Sequence, residues 1–401
     1  MANRAPVLNR SQLRKLMLPF LDQTHSSLRA RVRQWTEKDP SSLHRQEQPI
    51  DEEARRFVCE LGSAGLLAYG VPKEFGGARD KVEARALCVV REELARASAL
   101  ADTMFAVQAL GSYPITLFGS EEQKRYYLPR IAQGTAIAAF ALTEPEAGSD
   151  VASLQTLALR RGGAYCLTGT KRFISNAGIA DSYIVFASTT PDLKGKGISA
   201  FVVDAETPGL IVKERTQMIS PHPIGVIAFE ECVVPENSRL GNQGDGLKIA
   251  LATLDLLRCT VGAAAVGLAH RGLEEAVDYS RKRRQFNRPL TEFQGIQFKL
   301  ADMATDLEAA RLLVYQAAWA HDCGAPDAKL KSSIAKLFAT EAAQSIVDQA
   351  VQIHGGMGLV VGSVVERLYR DVRALRIYEG TSEIQKIVIA RELLKEPRME
   401  D

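Results

Sequence analysis

The feature that most constrains this chain is a double change of hydrophobic period. From residue 9 to about 138, apolar positions recur every three or four residues, as Phe57, Val58 and Leu61 do after Asp51-Glu-Glu53. Between 139 and 240 the pattern becomes short runs rich in β-branched and aromatic residues, at 165–168, 182–188, 197–203 and 225–234. Gly162-Gly163, Pro191, Pro208-Gly209 and Pro235 punctuate them. After Gly246 the helical spacing returns, in pieces at roughly 247–284, 293–322, 326–354, 363–374 and 382–395. Helices, then strands, then long helices predict an α+β chain: a helical N-terminal domain over 1–138, a small β middle domain over 139–240 and a helical domain over 241–401. Ser120-Glu-Glu-Gln123 and Ser382-Glu-Ile-Gln385 read as capping boxes that start helices.

Several function classes fall away. Fifty basic residues against 48 acidic ones leave a net charge of +2, which argues against a strongly basic nucleic-acid binder. The six cysteines are scattered without a C-x-x-C, so a disulfide scaffold or cysteine zinc site is not expected. Free buried thiols in a reducing compartment are expected instead, the cytoplasm or, in a eukaryote, the mitochondrial matrix. No H-E-x-x-H occurs, and no metal is expected. Dinucleotide (G-x-G-x-x-G), P-loop and G-x-S-x-G fingerprints are absent, which disfavours nicotinamide enzymes, NTPases and α/β-hydrolases. No apolar run approaches the roughly 20 residues of a membrane span. Near the start, Leu13, Leu16, Met17 and Phe20 recur at helical spacing among Arg4, Arg10, Arg14 and Lys15. That favours an amphipathic helix over a secretory signal, with a transit peptide left open.

On the residues alone, Ala141-Leu-Thr-Glu-Pro-Glu-Ala-Gly-Ser-Asp150 is a polar loop. It either presents backbone N–H groups and the Thr143 and Ser149 hydroxyls to a ligand or is an ordinary turn. Glu379 lies just before a helix start, where it either reaches into a cavity or is a surface carboxylate favoured by the helix dipole. Arg283 belongs to a basic run with Arg281, Lys282 and Arg284 that reads as a solvated cluster.

These segments together resemble one family. Leu142-Thr-Glu-Pro-Glu-Ala-Gly-Ser-Asp150, Gly169-Thr-Lys-Arg-Phe-Ile-Ser-Asn176, Arg283-Arg-Gln-Phe286, Gln352-Ile-His-Gly-Gly356 and Tyr378-Glu-Gly-Thr381 look like the hallmarks of acyl-CoA dehydrogenases, in order and in register. The resemblance covers about 50 to 395. It implies a helical N-terminal domain, a β-barrel-like middle domain and a C-terminal four-helix bundle, with FAD, a homotetramer and a role in fatty acid metabolism. It also implies α,β-dehydrogenation of an acyl thioester to the trans-2-enoyl product, with an electron-transfer flavoprotein as acceptor.

Carried over by position, Phe140, Leu142 and Thr143 meet one side of the flavin, and Phe173, Ile174 and Ser175 cover the other. Phe173 stands where relatives usually have Trp. Ser149 contacts the pyrophosphate or the thioester arm. Arg283, Phe286, Gln294, Gln352 and Gly356 bind the adenosine half in a neighbouring subunit, completed by Thr381 and Glu383. Glu379 is the catalytic base, with its own N–H and a flavin ribityl hydroxyl polarising the thioester oxygen and flavin N5 taking the β-hydride. A glutamate in water is too weak for an α-proton, so the base must be dry. Some relatives carry the base just before an arginine on another helix. Here that slot is Leu257 before Arg258, which leaves the role to Glu379. Asp255, Arg258, Tyr378, Gly380 and Arg391 are the further substrate-side residues.

The chain departs from the family in three places. Ile219-Ser-Pro-His-Pro-Ile-Gly225 replaces a Gly-x-Arg-x-Ser stretch near the substrate arm. Asn287 replaces a glycine after Phe286, and Asn tolerates a left-handed backbone. Gly362 stands where an acidic residue is common. Ala101-Asp102 occupies the region where glutaryl-specific relatives carry an arginine, which disfavours a distal carboxylate. The alternatives are an acyl group on a carrier protein, an oxygen-using oxidase or monooxygenase, and a catalytically idle flavin-binding protein.

Overall fold

The computed structural model describes residues 19–38 and 48–395. The amphipathic helix expected around Leu13 to Met17 falls outside the described residues. Among the described residues the first α-helices are α1 (Gln23–Lys38), α2 (Ile50–Ser63), α3 (Ala84–Ala97), α4 (Ala99–Phe118) and α5 (Glu121–Gln133). Ser98 divides α3 from α4 by adopting extended backbone and accepting from the Ala101 N–H at 3.3 Å. The capping box expected at Ser120 is present, with Gln123 N–H donating to Ser120 Oγ and Ser120 N–H to Gln123 Oε1. Gly134, at φ 70°, ends α5 in the left-handed conformation that glycine adopts without a Cβ penalty.

An eight-stranded sheet follows: β1 (Ala138–Ala141), β2 (Leu157–Arg161), β3 (Ala164–Ser175), β4 (Ser182–Ser188), β5 (Ile198–Asp204), β6 (Leu210–Arg215), β7 (Ile224–Pro235) and β8 (Arg239–Leu240). The order is β6-β7-β3-β2-β4-β5-β8, with β1 parallel to β4. Tyr165 of β3 and Phe201 of β5 meet at 5.0 Å between ring centroids. Strands three places apart in a flat sheet would lie roughly 14 Å from one another, so the sheet curls on itself. No ladder joins β6 to β8, and the expected barrel is therefore an open one.

The C-terminal region carries α6 (Gly246–Lys282), α7 (Gln294–Asp322), α8 (Ala328–His354), α9 (Val364–Arg373) and α10 (Ser382–Leu393). α6 packs on α3, α7 and α8, and α10 packs on α8. By length and composition α6 is apolar enough to span a membrane, but most of its apolar stretch is buried in protein, as in a core helix. Strands β9 (Arg284–Gln285) and β10 (Arg288–Pro289) form a hairpin closed by Phe286 and Asn287, at φ 49° and 62°. Asn287 thus keeps the left-handed turn. All six cysteines are free; Cys59 and Cys323 are exposed, against the expectation that all would be buried.

α3 and α6 touch at Gly267, where a Cβ would lie 2.2 Å from the Glu92 carbonyl oxygen, a backbone atom that cannot step aside. Gly267→Val is expected to lower stability by about 1–3 kcal/mol or more through overpacking, read as a fall in melting temperature; an unchanged melting curve would contradict this contact.

Candidate active site

Two segments remote in sequence build the site. The first is the loop after β1. Lys171 on β3 is fully buried and donates to Glu144 Oε1 at 2.7 Å and to the Leu142 carbonyl at 3.1 Å. Glu144 also accepts from the Gln155 and Thr156 N–H groups, and Arg172 N–H donates to the Thr143 carbonyl. Burial pulls the Lys171 ammonium down to about 8, while Lys171 holds the Glu144 carboxyl below its usual value despite burial. This buried pair clamps Phe140, Leu142 and Thr143 to β3. Phe140 packs on Phe186, and Leu142 is buried in the same apolar cluster as Ile249 and Ala250 of α6. The Thr143 and Ser149 hydroxyls have no protein partner among the described residues.

Just past Lys171 the β3–β7 ladder slips, because Lys171 faces Ile227 and Ile174 faces Gly225. The extra residue is a bulge that turns Phe173 outward, at φ 56° and 48% exposed. Ile174 points the other way, into the core at 1% exposure, so only its backbone can meet a ligand. Ser175 Oγ lies 3.2 Å from His222 Nε2, and His222 Nδ1 lies 3.1 Å from the Ser220 carbonyl. Burial pushes the His222 imidazole below its usual value, toward the neutral form. The neutral ring then donates from Nδ1 to Ser220 and accepts from Ser175 at Nε2. Ser220 Oγ donates in turn to Asp371 on α9 at 2.7 Å, which ties the middle domain to the chain just before the second segment.

That second segment is 377–381. Glu379 sits at φ 52°, unusual for a residue with a side chain. Two buried groups, Lys336 and Gln385, hold the loop, with the partly exposed Glu341 beside them. Lys336 of α8 donates to the Gly380 carbonyl at 2.7 Å, and Gln385 of α10 donates to the carbonyls of Gly380 (3.0 Å) and Glu379 (3.3 Å). Glu341 accepts from Ser382 Oγ and Arg376. The capping box expected at Ser382 is not formed. Thr381 is the N-cap, accepting from Ile384 N–H at 3.3 Å, and Gln385 reaches back to the loop carbonyls instead. Gly380 needs its missing side chain, since at φ 92° a Cβ would meet Gln385 Nε2 at 2.6 Å.

Glu379 shows some surface, yet protein surrounds it and its Oε2 is buried with no hydrogen-bond partner. Burial pushes the carboxyl above its usual value, against the cations Arg91, Lys336 and Arg258. Each of those has close commitments elsewhere: Arg91 with Asp102, Arg258 with Asp255, and Lys336 with the Gly380 carbonyl, its ammonium itself lowered by burial to about 8. The Glu379 N–H finds no acceptor among the described residues. Arg258 is buried on α6, one turn from Leu254, which packs against the same cluster as Leu142. Tyr378 is 40% exposed, and burial raises the proton affinity of its hydroxyl above the usual value. Neither Arg91 nor Lys336 stood out in the sequence; nothing in helical spacing distinguishes a buried cation from a solvated one.

The remaining candidates lie elsewhere. Arg283, Phe286, Gln294, Gln352 and Gly356 are exposed, Phe286 by 87%, at the end of the bundle where Tyr279 stacks on His354 at 4.2 Å. Gln352 is about 24 Å along α8 from Lys336. Thr381 adjoins Glu379, Glu383 is exposed on the first turn of α10, and Arg391 is exposed near its end. One chain therefore presents two separate groups of candidate residues.

Comparison with known proteins bears on this geometry. Family models described as the N-terminal, middle and C-terminal domains of acyl-CoA dehydrogenase match residues 22–135, 139–232 and 244–394. An acyl-CoA dehydrogenase of Bacillus subtilis (strain 168) is 44% identical over 375 residues, covering 93% of this chain and 98% of that one. The butyryl-CoA dehydrogenase of Megasphaera elsdenii superposes with a TM-score of 0.85 at 35% identity, over 94% of this chain and 99% of that one. A prolyl acyl carrier protein oxidase, AnaB, gives 0.86 at 32%, over 94% and 100%.

Lys171→Met leaves Glu144 buried without its cation and is expected to cost about 3–5 kcal/mol, with the loop after β1 losing protection in hydrogen exchange. Full stability with unchanged exchange would show that the clamp is dispensable.

Proposed function

The chain belongs to the acyl-CoA dehydrogenase family, an FAD-dependent oxidoreductase family, and on that premise we propose that it converts an acyl-CoA thioester to its trans-2-enoyl product with Glu379 as base. The observation that carries the reading is the dry, unpartnered Oε2 of Glu379 beside an unpartnered Glu379 N–H.

The residues present fit the cofactor. Phe173, turned out by the bulge, offers a flat face, and the Thr143 and Ser149 hydroxyls and Ser175 supply polar groups beside it. Bound FAD supplies the two-electron acceptor for the β-hydrogen. The protein's part is proton transfer and orientation. Glu379 Oε2 takes the α-proton, and its raised proton affinity, set by burial, makes it a stronger base than a glutamate in water. The Glu379 N–H donates to the thioester carbonyl oxygen as negative charge builds there. The left-handed backbone at Glu379 lets one residue present both groups. Asp255, Arg258, Tyr378, Gly380 and Ser149 line the path of the thioester, with Arg391 toward its mouth.

Arg283, Phe286, Gln294, Gln352 and Gly356 lie too far along the bundle to serve the same cofactor within one chain. Their exposure, with that of Leu359 (73%) and Val361 (80%), supports assembly in which a second subunit supplies the adenosine side. A homotetramer, and an electron-transfer flavoprotein as acceptor, complete the proposal. A second reading keeps the chemistry and places the acyl group on a carrier protein. The Ser220-Pro-His-Pro223 loop and the likeness to the carrier protein oxidase favour it. Product analysis with acyl-CoA and acyl-carrier panels separates the two, since turnover of carrier-bound substrates alone selects the second.

Glu379→Gln is expected to retain FAD and to lose about 10²–10⁴-fold in turnover, the usual worth of a general base. The acid limb of wild-type kcat/KM should lie above the ordinary glutamate range, with activity lost as falling pH protonates Glu379. Wild-type turnover in the variant, or an acid limb at the ordinary glutamate value, would remove Glu379 from this role.

A further inference from the structure

The Ser220-Pro-His-Pro223 segment, where the chain departs from its family, sets an imidazole against the strand that carries Phe173 and Ser175. Both ends of the segment are anchored. Ser220 Oγ donates to Asp371 of α9 at 2.7 Å, and the Pro223 carbonyl accepts from Asn176 N–H at 2.8 Å. Asn176 is itself buried and donates from its side chain to the Ala138 carbonyl of β1 at 3.0 Å. Pro221 fixes its own φ, and Pro223 keeps the His222 backbone out of the helical region. The ring is held in this frame with Nε2 at 3.2 Å from Ser175 Oγ and Nδ1 at 3.1 Å from the Ser220 carbonyl.

The direction of these hydrogen bonds follows from one atom. A carbonyl oxygen only accepts, so His222 Nδ1 carries a proton. An ordinary imidazole is neutral at about pH 8, and burial pushes His222 further toward that form. A neutral ring has a single N–H, so Nε2 offers a lone pair and the Ser175 hydroxyl is the donor. Ser175 has one proton to give, and His222 takes it. Toward any other neighbour Ser175 Oγ can then only accept. Ile174 points into the core at 1% exposure, and side chains alternate along a strand, so Ser175 lies on the opposite face, as the outward-turned Phe173 does.

Two-electron reduction turns one ring nitrogen of a flavin from a lone-pair acceptor into an N–H donor. A fixed acceptor at that nitrogen matches the reduced ring and sets lone pair against lone pair in the oxidised one. We infer that His222 is a positioning residue: it commits the Ser175 hydroxyl to itself, leaves Ser175 an acceptor toward the cofactor, and so favours the reduced flavin. The inference rests on the cofactor reading above. His222 exchanges no proton or electron with the substrate and acts only through Ser175. Without an acceptor at position 222, the Ser175 hydroxyl turns to donate to the oxidised ring, and the balance moves the other way.

The test is the midpoint potential of the bound flavin at about pH 8, read against reference dyes during anaerobic reduction. It compares the FAD-loaded wild type with His222→Phe, His222→Gln, Ser175→Ala and the double variant Ser175→Ala/His222→Phe, whose folding a melting curve and the flavin content verify. His222→Phe removes the acceptor and is expected to shift the equilibrium about five- to ten-fold toward the oxidised flavin, a fall of about 20–30 mV for a two-electron couple. His222→Gln, whose side-chain oxygen accepts the same proton, is expected to restore most of that fall. With Ser175→Ala already in place, His222→Phe is expected to change nothing further, because the hydroxyl it acts through is gone. An unchanged or raised potential in folded His222→Phe, or an equal fall with and without the Ser175 hydroxyl, overturns the inference. If His222→Phe does not fold, nitrogen-15 NMR of the wild-type imidazole decides: a protonated Nδ1 with a bare Nε2 is expected, and the opposite tautomer overturns the inference. A protein that takes up no FAD overturns the cofactor reading instead.

Discussion

The structure depends on keeping one carboxylate out of water while surrounding it with cations that do not neutralise it. Three positive side chains face Glu379, and any of them alone could draw it into an ordinary ion pair. Such a pair would hold the carboxylate charged and weaken it as a base. Each cation is engaged at shorter range by another group: Arg91 by Asp102, Arg258 by Asp255, Lys336 by the Gly380 carbonyl. Arg91 and Arg258, each with a close anionic partner, act on a third group mainly as dipoles, and burial weakens the hold of the Lys336 ammonium on its own proton. Desolvation then decides the proton affinity of Glu379.

The fold serves that arrangement from two directions. α8 and α10 fix the loop by its carbonyls, which leaves the Glu379 side chain and N–H free. The middle domain brings a second face, clamped by Lys171 and Glu144 and tethered through Ser175, His222, Ser220 and Asp371 to the helix that leads into the loop. Lys171 with Glu144, and Lys336 with the Gly380 carbonyl, are buried polar groups with their partners in place, the condition under which burial rigidifies rather than destabilises.

Much of this was legible in the sequence. The switches of period gave the α+β order and the long C-terminal helices, because burial imposes those periods directly. Asn287 was readable as a left-handed turn residue. The loops flanking Thr143 and Glu379 were visible through their resemblance to a family rather than through physics alone. What stayed hidden was tertiary. Ser382 and Gln385 have capping-box spacing, but Glu341 and the loop carbonyls compete for their side chains, and Thr381 takes the cap. Ile174 and Phe173 are neighbours, and only the bulge decides which faces outward. Arg91 and Lys336 look like solvated helix residues until three helices close around them.

The central claim, that Glu379 removes the α-proton, is tested most directly by isolating that step. A thioester without β-hydrogens cannot be oxidised, yet its α-hydrogens can exchange with deuterated water on the protein. Exchange in the wild type that rises as pH passes the raised pKa of Glu379, and disappears in Glu379→Gln, is the outcome this account predicts. Exchange that persists undiminished in the variant would mean that some other group is the base.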